Sequence, residues 1–599
     1  MLQEALEVFA QQLEEENGER FVLDAHIPKD GSYRLIEISD DNWKMSAPLD
    51  IFYDKKKGIL MGRTSSNYRF IQELDYYSKL VEMNKPIDPK KVVHTNNYLA
   101  LAVKKENIVS GKLTADILKG YYAILKNPIT KYEKKAKAKK LYESVQNELG
   151  LPDVELINRI EAYVLSHNIW EGMNLEKKDY AKIFFVFPDG QKTKDYYKTE
   201  GNRYLIPNIY NSNDFNTMDQ EQIVGLPNNN MGMNSKKPYL ENKTRKVKVP
   251  YLLNQQEVLL QTKLFDYLMG EVSQRRINIY VDNDYDEPMI RGYTDMESPD
   301  DLENGYYLRC RKEKNEVAII EADVITHFST VLSPAFQLKN HIEIPDGYVA
   351  KSKLKYDKPT ENLWEIKNLI DAIFFEGKLN RNFSTDAGDL NIYDGTLKRC
   401  LLESRDVLAA WFWKGEASRV EATIDKISIK LIKNSIQRGD TFWAQKQFNL
   451  RWSILEYLNE NRRIGSAMRD IRQQLREHIN LKKEQEWDFC DDKEFAYGVG
   501  QAVYYLLSLS KANNKNHSFI NPFLDAKDVT VIKRKIMQIY KKYNYRMEYK
   551  GANRGSQLLS KIMIYEPQII YSEYIMAGFT ASSLIYEKND DVKGEETNE

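Results

Sequence analysis

The sequence predicts an α+β protein, with a mixed α and β region over residues 1–360 followed by an all-α helical bundle. Three observations lead there. β-rich runs interrupted by helical patterns fill the first part. From Leu363 onward the apolar spacing becomes that of a helix and strand signals nearly vanish. The length of 599 residues exceeds what one ordinary core organises, so several domains are expected.

Taken in order, the chain opens on a helix, because Leu2, Ala5, Leu6, Phe9 and Leu13 share one face. No basic residue precedes Arg20, so this stretch reads as a packing helix and not as a signal peptide. RFVLDAHIPKDGSYRLIEI then reads as a hairpin turning at Lys29, Asp30 and Gly31. Further strands are predicted over 98–103, 182–187 and 277–281, and a second hairpin begins at Tyr306 and turns at Lys314 and Asn315. Helices interrupt these strands around 117–125 and 257–268.

Beyond residue 360 the helical period recurs in Leu363, Ile366, Ile370, Ile373 and Phe374, and in Val420, Ile424, Ile427 and Leu431. It returns in Val499, Val503, Leu506 and Leu507, and in Ile532, Ile536, Ile539 and Tyr543. The expected division is a connecting region at 361–467, a bundle at 468–587 and a disordered acidic tail at 588–599, which has no apolar anchors.

Apolar residues at 42% and charged residues at 29% are ordinary for a soluble globular chain. The densest apolar patch, 408–413, is much shorter than a bilayer span, so no membrane association is expected. Cys310, Cys400 and Cys490 stand far apart, which fits a reducing cytoplasm better than a disulfide framework or a CxxC zinc site. No GxxxxGK[ST] loop is present, so ATP-driven unwinding is not expected.

The 7 histidines include no pair within a helical turn of one another, and no HExxH motif occurs. Asp282, Asp284, Asp286 and Glu287 alternate like the start of a calcium loop. They lack its glycine and its distal glutamate and read as a solvated turn. No catalytic residue, metal ligand or cofactor is predicted, and the chain is not expected to be an enzyme.

A formal charge of −1 means that any surface for a polyanion must be local. Three stretches qualify. In 126–140, Lys126, Lys131, Lys134, Lys135, Lys137, Lys139 and Lys140 face one acid, Glu133, and read as a solvated helix face. In the second, Asn228, Asn229, Asn230 and Asn234 sit among glycines and Pro227 in a loop. Their amides suit base edges, while Lys236, Lys237, Lys243, Arg245 and Lys246 suit phosphates. In the third, 527–561, Lys533, Arg534, Lys535, Lys541, Lys542 and Arg546 interleave with Tyr540, Tyr543, Tyr545 and Tyr549, a mixture suited to stacking and charge neutralisation along a single strand. The alternatives are a flexible surface loop for the second stretch and core packing for the tyrosines of the third.

Several longer phrases are distinctive: MGMNSKKPYLENKTRKVKVPYLLNQQEVLLQTKLFDYL, HTNNYLALAVKKENI with GYYAILKNPITKY, and EFAYGVGQAVYYLLSLSKANNKNHSFINPFL with KIMQIYKKYNY. Through most of the chain, and in similar order, they resemble the large-subunit family of type I-B CRISPR Cascade complexes. The resemblance implies a non-catalytic subunit of a cytoplasmic ribonucleoprotein of antiviral defence. Its partners would be CRISPR guide RNA, target DNA, the Cascade backbone subunits and small subunit, and a separate helicase-nuclease recruited to it. Sequence choice would belong to base pairing, while the protein would check the short protospacer-adjacent motif and help part the strands.

The resemblance also points to 228–246, with Asn96 and Asn97, for the guide's 5′ handle or the motif duplex. It assigns the C-terminal basic residues to a small-subunit-like bundle on the displaced strand or the guide–target backbone. Relatives that make a separate small subunit from an internal start suggest Met468 for that role. Some relatives carry paired zinc-type cysteines before the loop, but 204–225 contains none, so a structural metal is not expected there. Two other classes fit the same residues: a metal-dependent nuclease with scattered carboxylates, and an RNA-packaging scaffold without DNA recognition.

Overall fold

YAKIFFV is an unbroken apolar run apart from one lysine, the composition of a strand covered on both faces. In a computed structural model the chain is described over residues 2–14, 18–40, 42–54, 59–78, 86–210, 213–219, 222–227, 252–283, 289–313, 316–344, 354–462, 465–481, 486–510, 517–547 and 552–587. It divides into two compact units, Met1–Glu297 with Asn304–Val324, and Ser298–Glu303 with Ile325–Glu599.

The first unit is built on a mixed sheet of β1 (Gly31–Glu37), β2 (Lys44–Met45), β3 (Leu49–Asp54), β4 (Ile59–Met61), β5 (Ala100–Lys104) and β6 (Tyr180–Val186). Its order is β4-β3-β1-β6-β5, with β2 on β1, and only β1 and β6 run parallel among these pairs. Helices Ala115–Lys126 and Val154–Ser166 send Tyr121, Tyr122, Leu125, Ile157 and Ile160 into its core.

The 39 tyrosines find much of their use in such packing. Tyr197 is fully buried and donates to the carbonyls of Leu99 (2.6 Å) and Phe185 (3.1 Å), while Tyr33 donates to Lys29 (2.6 Å). These two rings supply apolar area and spend their hydroxyls on backbone acceptors.

A short hairpin, β7 (Thr217–Asp219) and β8 (Gln222–Val224), follows. A second core then forms where helices Leu2–Glu14, Glu19–Ala25 and Gln255–Ser273 cover a sheet of β9 (Asn278–Asp282), β10 (Met289–Tyr293), β12 (Gly305–Glu313) and β13 (Glu316–Ile325), in the order β10-β9-β12-β13. The two-residue β11 (Asp301–Leu302) lies between β10 and β12 in the chain and joins the other unit. A capping box between Asn254 and Glu257 starts the long helix.

One element departs from the hairpin expected at 20–38. ERFVLDA is a helix, Glu19–Ala25, and only the second half of that segment is the strand β1. Val22, Leu23 and Ala25 are buried against Leu264 and Leu268, so packing overrides the strand preference of Phe and Val in a seven-residue segment.

The helix Tyr68–Tyr77 is tied to the sheet by charge. Asp75 binds Lys182 of β6 and accepts from His26 Nε2 at 2.9 Å, with Lys182 2% exposed. Tyr33, the β1 partner of Lys182 in register, lays its ring 4.9 Å from the ammonium. Burial alone would raise the Asp75 carboxyl, but the Lys182 charge and the His26 hydrogen bond outweigh it and hold the group well below the usual carboxylate range.

The second unit begins with β14 (Phe328–Ser329) on β11 and the hairpin of β15 (Val331–Gln337) with β16 (Pro359–Asn362). Its helices are Leu363–Phe374, Gly395–Lys414, Val420–Gln437, Thr441–Leu458, Gly465–Asn480, Asp492–Ser508, Val529–Tyr543, Ala552–Ile564 and Ser572–Thr580, with shorter turns between. Asp394, Asp440, Asp491 and Asp528 each accept a backbone N–H at a helix start, which sets four of these boundaries.

The regions 361–467 and 468–587 lie in this one unit. Gln445 donates to the Thr580 carbonyl, and Arg451, 1% exposed, reaches Glu573 at 2.9 Å. Met468 is 2% exposed. Among the described residues, no helix is long and apolar enough to cross a membrane.

Helices Asp492–Ser508 and Ser572–Thr580 cross at glycines. A Cβ on Gly578 would press into the Tyr497 carbonyl, and one on Gly500 into the Ile575 carbonyl. Gly578→Ala should therefore destabilise the second unit by about 1–3 kcal/mol through overpacking. Urea unfolding reads this as a lower midpoint, and an unchanged midpoint would mean that the helices separate at no cost.

Candidate nucleic-acid interface

The 15-residue helix Val529–Tyr543 is amphipathic in the strict sense. Ile532, Ile536, Ile539 and Tyr543 are its buried stripe, at helical spacing. Arg534, Gln538 and Lys541 fall on the opposite side, Lys535 and Lys542 flank the stripe, and all of these are exposed except the half-buried Lys535. The side chain of Asp528 accepts from Thr530 N at 2.9 Å, and this backbone contact holds the carboxyl below its ordinary value. Lys541 and Lys542 occupy the last turn, where cations complement the helix dipole.

The six C-terminal basic residues singled out in the sequence thus separate into two groups. Arg534, Lys541 and Lys542 are exposed and Lys535 is half-buried. None of the four forms a close ion pair among the described residues, although Arg534 is near enough to Asp528 to help lower its carboxyl. Lys533 does not join them: it is 12% exposed and pairs with Glu566 at 2.6 Å. Arg546 is also structural, since it donates to the Leu509 carbonyl at 2.8 Å.

The rings divide in the same way. Tyr543 belongs to the core, whereas Tyr545 is 74% exposed and Phe519 48% exposed. Lys542 stands 5.5 Å from the Phe519 ring and 5.3 Å from that of Tyr543. The result is a face about 10 Å long from Arg534 to Lys541, with ring faces close to one end. That combination is chemically suited to neutralising phosphates and to stacking on bases without reading them.

The other stretches fare differently. Asn228, Asn229, Asn230, Asn234, Lys236, Lys237, Lys243, Arg245 and Lys246 lie outside the described residues, as do Tyr549 and the acidic residues Asp284, Asp286 and Glu287. Asn96 and Asn97 are 5% and 1% exposed. Asn97 shapes the approach to β5, donating to the Tyr197 carbonyl at 3.2 Å and accepting from Leu99 N at 3.0 Å, so neither asparagine presents an edge to a ligand.

The 126–140 lysines are largely engaged locally. Lys126 pairs with Glu161, Lys131 donates to the Pro86 carbonyl at 2.8 Å, and Lys137 donates to Asn216 at 3.0 Å. Lys134, Lys135 and Lys140 remain exposed.

Sequence reasoning did not find the groupings made by distant residues. A recess in the second unit is lined by Glu421, Asp425, Lys426 and Arg462. Its carboxylates are already matched by guanidinium groups, with Arg462 at 2.8 Å from Glu421 and 3.0 Å from Asp425, and with the buried Arg451 also on Asp425. No protein-family model, curated protein or solved structure matches the chain.

Proposed function

We propose that this chain is a nucleic-acid-binding subunit of a ribonucleoprotein, the large subunit of a type I-B CRISPR Cascade complex. The observation that carries the reading is the cluster of Arg534, Lys535, Lys541 and Lys542 on one helix, with Asp528 near Arg534 and the exposed rings of Phe519 and Tyr545 beside it. The sequence phrases that resemble that family support it. In this role the basic helix follows the backbone of the displaced strand or of the guide–target duplex, and 228–246 meets the guide handle or the motif duplex. The work is cytoplasmic and non-catalytic, and a backbone subunit, a small subunit and a helicase-nuclease complete the machine. Three unpaired cysteines suit that compartment.

The test is binding by the purified chain and by the complex reconstituted with its neighbours in the operon. The expected result is retention of guide RNA and capture of duplex DNA bearing one short motif, with labelled DNA left intact in Mg²⁺ or Mn²⁺. Cleavage of that DNA would instead identify the metal-dependent nuclease, and RNA binding with no response to any duplex would identify the packaging scaffold.

Within the same assay, replacing Asn228, Asn229 and Asn230 with alanine should weaken capture of the motif duplex by about 1 kcal/mol or more while assembly proceeds. Replacing Lys236, Lys237, Arg245 and Lys246 should reduce incorporation into the complex and flatten its salt dependence. Parent-like behaviour of both variants would mean that 228–246 contacts neither RNA nor DNA.

A further inference from the structure

Three residues that no spacing rule connects meet where two helices of the second unit end and begin. His478 lies in the last turn of Gly465–Asn480, and Glu494 in the first turn of Asp492–Ser508. Cys490 immediately precedes Asp491, the N-cap of the second helix. His478 Nδ1 is 2.8 Å from Glu494 Oε1, and the Cys490 backbone N–H donates to Glu494 Oε2 at 2.7 Å. One ligating atom from each of the three side chains lies within 4.8 Å of the other two.

The surroundings are those of a built site. Glu494 is completely buried, yet among the described residues its one ion-pair partner is an imidazole. A buried carboxylate ordinarily finds a lysine or arginine. The His478 ring is held by stacking on Trp487, with centroids 5.0 Å apart and planes 19° from parallel, and Trp487 is itself packed edge-on against Phe489. The nitrogen and carboxylate ligands are thereby oriented in advance, the part of a metal site that is hardest to supply. The sulfur is on the solvent side, since Cys490 is exposed.

We propose that His478 Nδ1, Cys490 Sγ and the Glu494 carboxylate form a binding site for a divalent transition-metal ion, with zinc as the best match. A nitrogen, a thiolate and a carboxylate are the zinc donor set, and three protein ligands leave a fourth position to water. Ligands on a tetrahedral zinc lie about 3.2–3.8 Å apart. The hydrogen-bonded His478–Glu494 pair, at 2.8 Å, therefore opens slightly as the ion takes the place of the shared proton, and rotation of the exposed Cys490 side chain closes the remaining span. On binding, the thiol proton is released to solvent, and the imidazole ligates through Nδ1 with its proton on Nε2. The ion neutralises the buried carboxylate and clips the end of one helix to the start of the next.

The test uses the full chain, stripped with chelator under reducing conditions and titrated with zinc against a chromophoric chelator. Cobalt serves as a spectroscopic substitute. One ion per chain is expected, together with a thiolate-to-cobalt charge-transfer band. Cys490→Ser should remove the band and weaken zinc binding by more than about tenfold, and His478→Gln should weaken it comparably.

Cys310→Ser and Cys400→Ser should keep both signals, because burial pushes those thiols up to about 12 and about 11 and they lie outside the site. Zinc should also raise the thermal midpoint of the parent and not that of Cys490→Ser, whose exposed position makes the substitution mild for folding. Absence of zinc binding by the parent, or equal affinity and an equal cobalt spectrum in Cys490→Ser, would overturn the proposal.

Discussion

Changing Arg534, Lys535, Lys541 and Lys542 together to glutamate should remove most of the affinity of the second unit's basic face for single-stranded nucleic acid. Removing one cation from a phosphate lowers the slope of log affinity against log salt by about 0.7, so removing four lowers it by about 3. Reversal adds repulsion to that deficit, and the defect should be largest in the strand-opened state and smaller in initial duplex capture. Fold should be spared, because none of the four belongs to the buried stripe of Ile532, Ile536, Ile539 and Tyr543, and a far-UV spectrum of the variant checks this.

The matched control is reversal of Lys134, Lys135 and Lys140, exposed lysines of the first unit, which should leave the slope near that of the parent. Footprinting of the displaced strand and filter binding at several salt concentrations provide the readout. Equal protection by variant and parent would show that the helix simply faces water.

The second large effect is on stability. Asp75→Asn should destabilise the first unit by about 3–5 kcal/mol, because it leaves the Lys182 ammonium buried without its counter-charge. Asp75→Asn combined with Lys182→Met should recover much of the loss, which a double-mutant cycle in urea would measure. A loss below about 1 kcal/mol in the single variant would place the pair among ordinary surface bridges.

The same pair sets an acid limit. The folded carboxyl is depressed, so its contribution is complete above the unfolded aspartate value of about 3.9 and is lost as pH falls from there through the folded value. Acid titration of the parent should therefore show a steeper decline below that point than the double variant does.

Much of the second unit was legible because its cause is local. A stripe such as Ile532, Ile536 and Ile539 needs one helix face and a core to cover it, and the spacing expresses both. The basic face was legible for the same reason, being the complement of that stripe. The exclusion of Lys533 and Arg546 was not, since their partners Glu566 and Leu509 lie 33 and 37 residues away.

The helix Glu19–Ala25 was hidden by composition, and Asn96 and Asn97 by chemistry. An asparagine suited to a base edge is equally suited to a buried backbone, and only the fold tells which it meets. His478, Cys490 and Glu494 were invisible for a further reason: a connecting segment, with no period of its own, brings them together.

The bridge between helices Thr441–Leu458 and Ser572–Thr580 bears on how the C-terminal half opens. Gln445 closes on the Thr580 carbonyl, and the desolvated Arg451 is shared by Asp425 and Glu573. Parting those helices breaks the Arg451–Glu573 and Gln445–Thr580 contacts together, while Asp425 and Ser428 still hold the guanidinium, so amide hydrogens on both should exchange through one common opening. A shorter polypeptide begun at Met468 would carry Glu573 and Thr580 without these partners. Its fold would lack these two contacts, and any partner that covers the exposed helix would raise its stability by mass action.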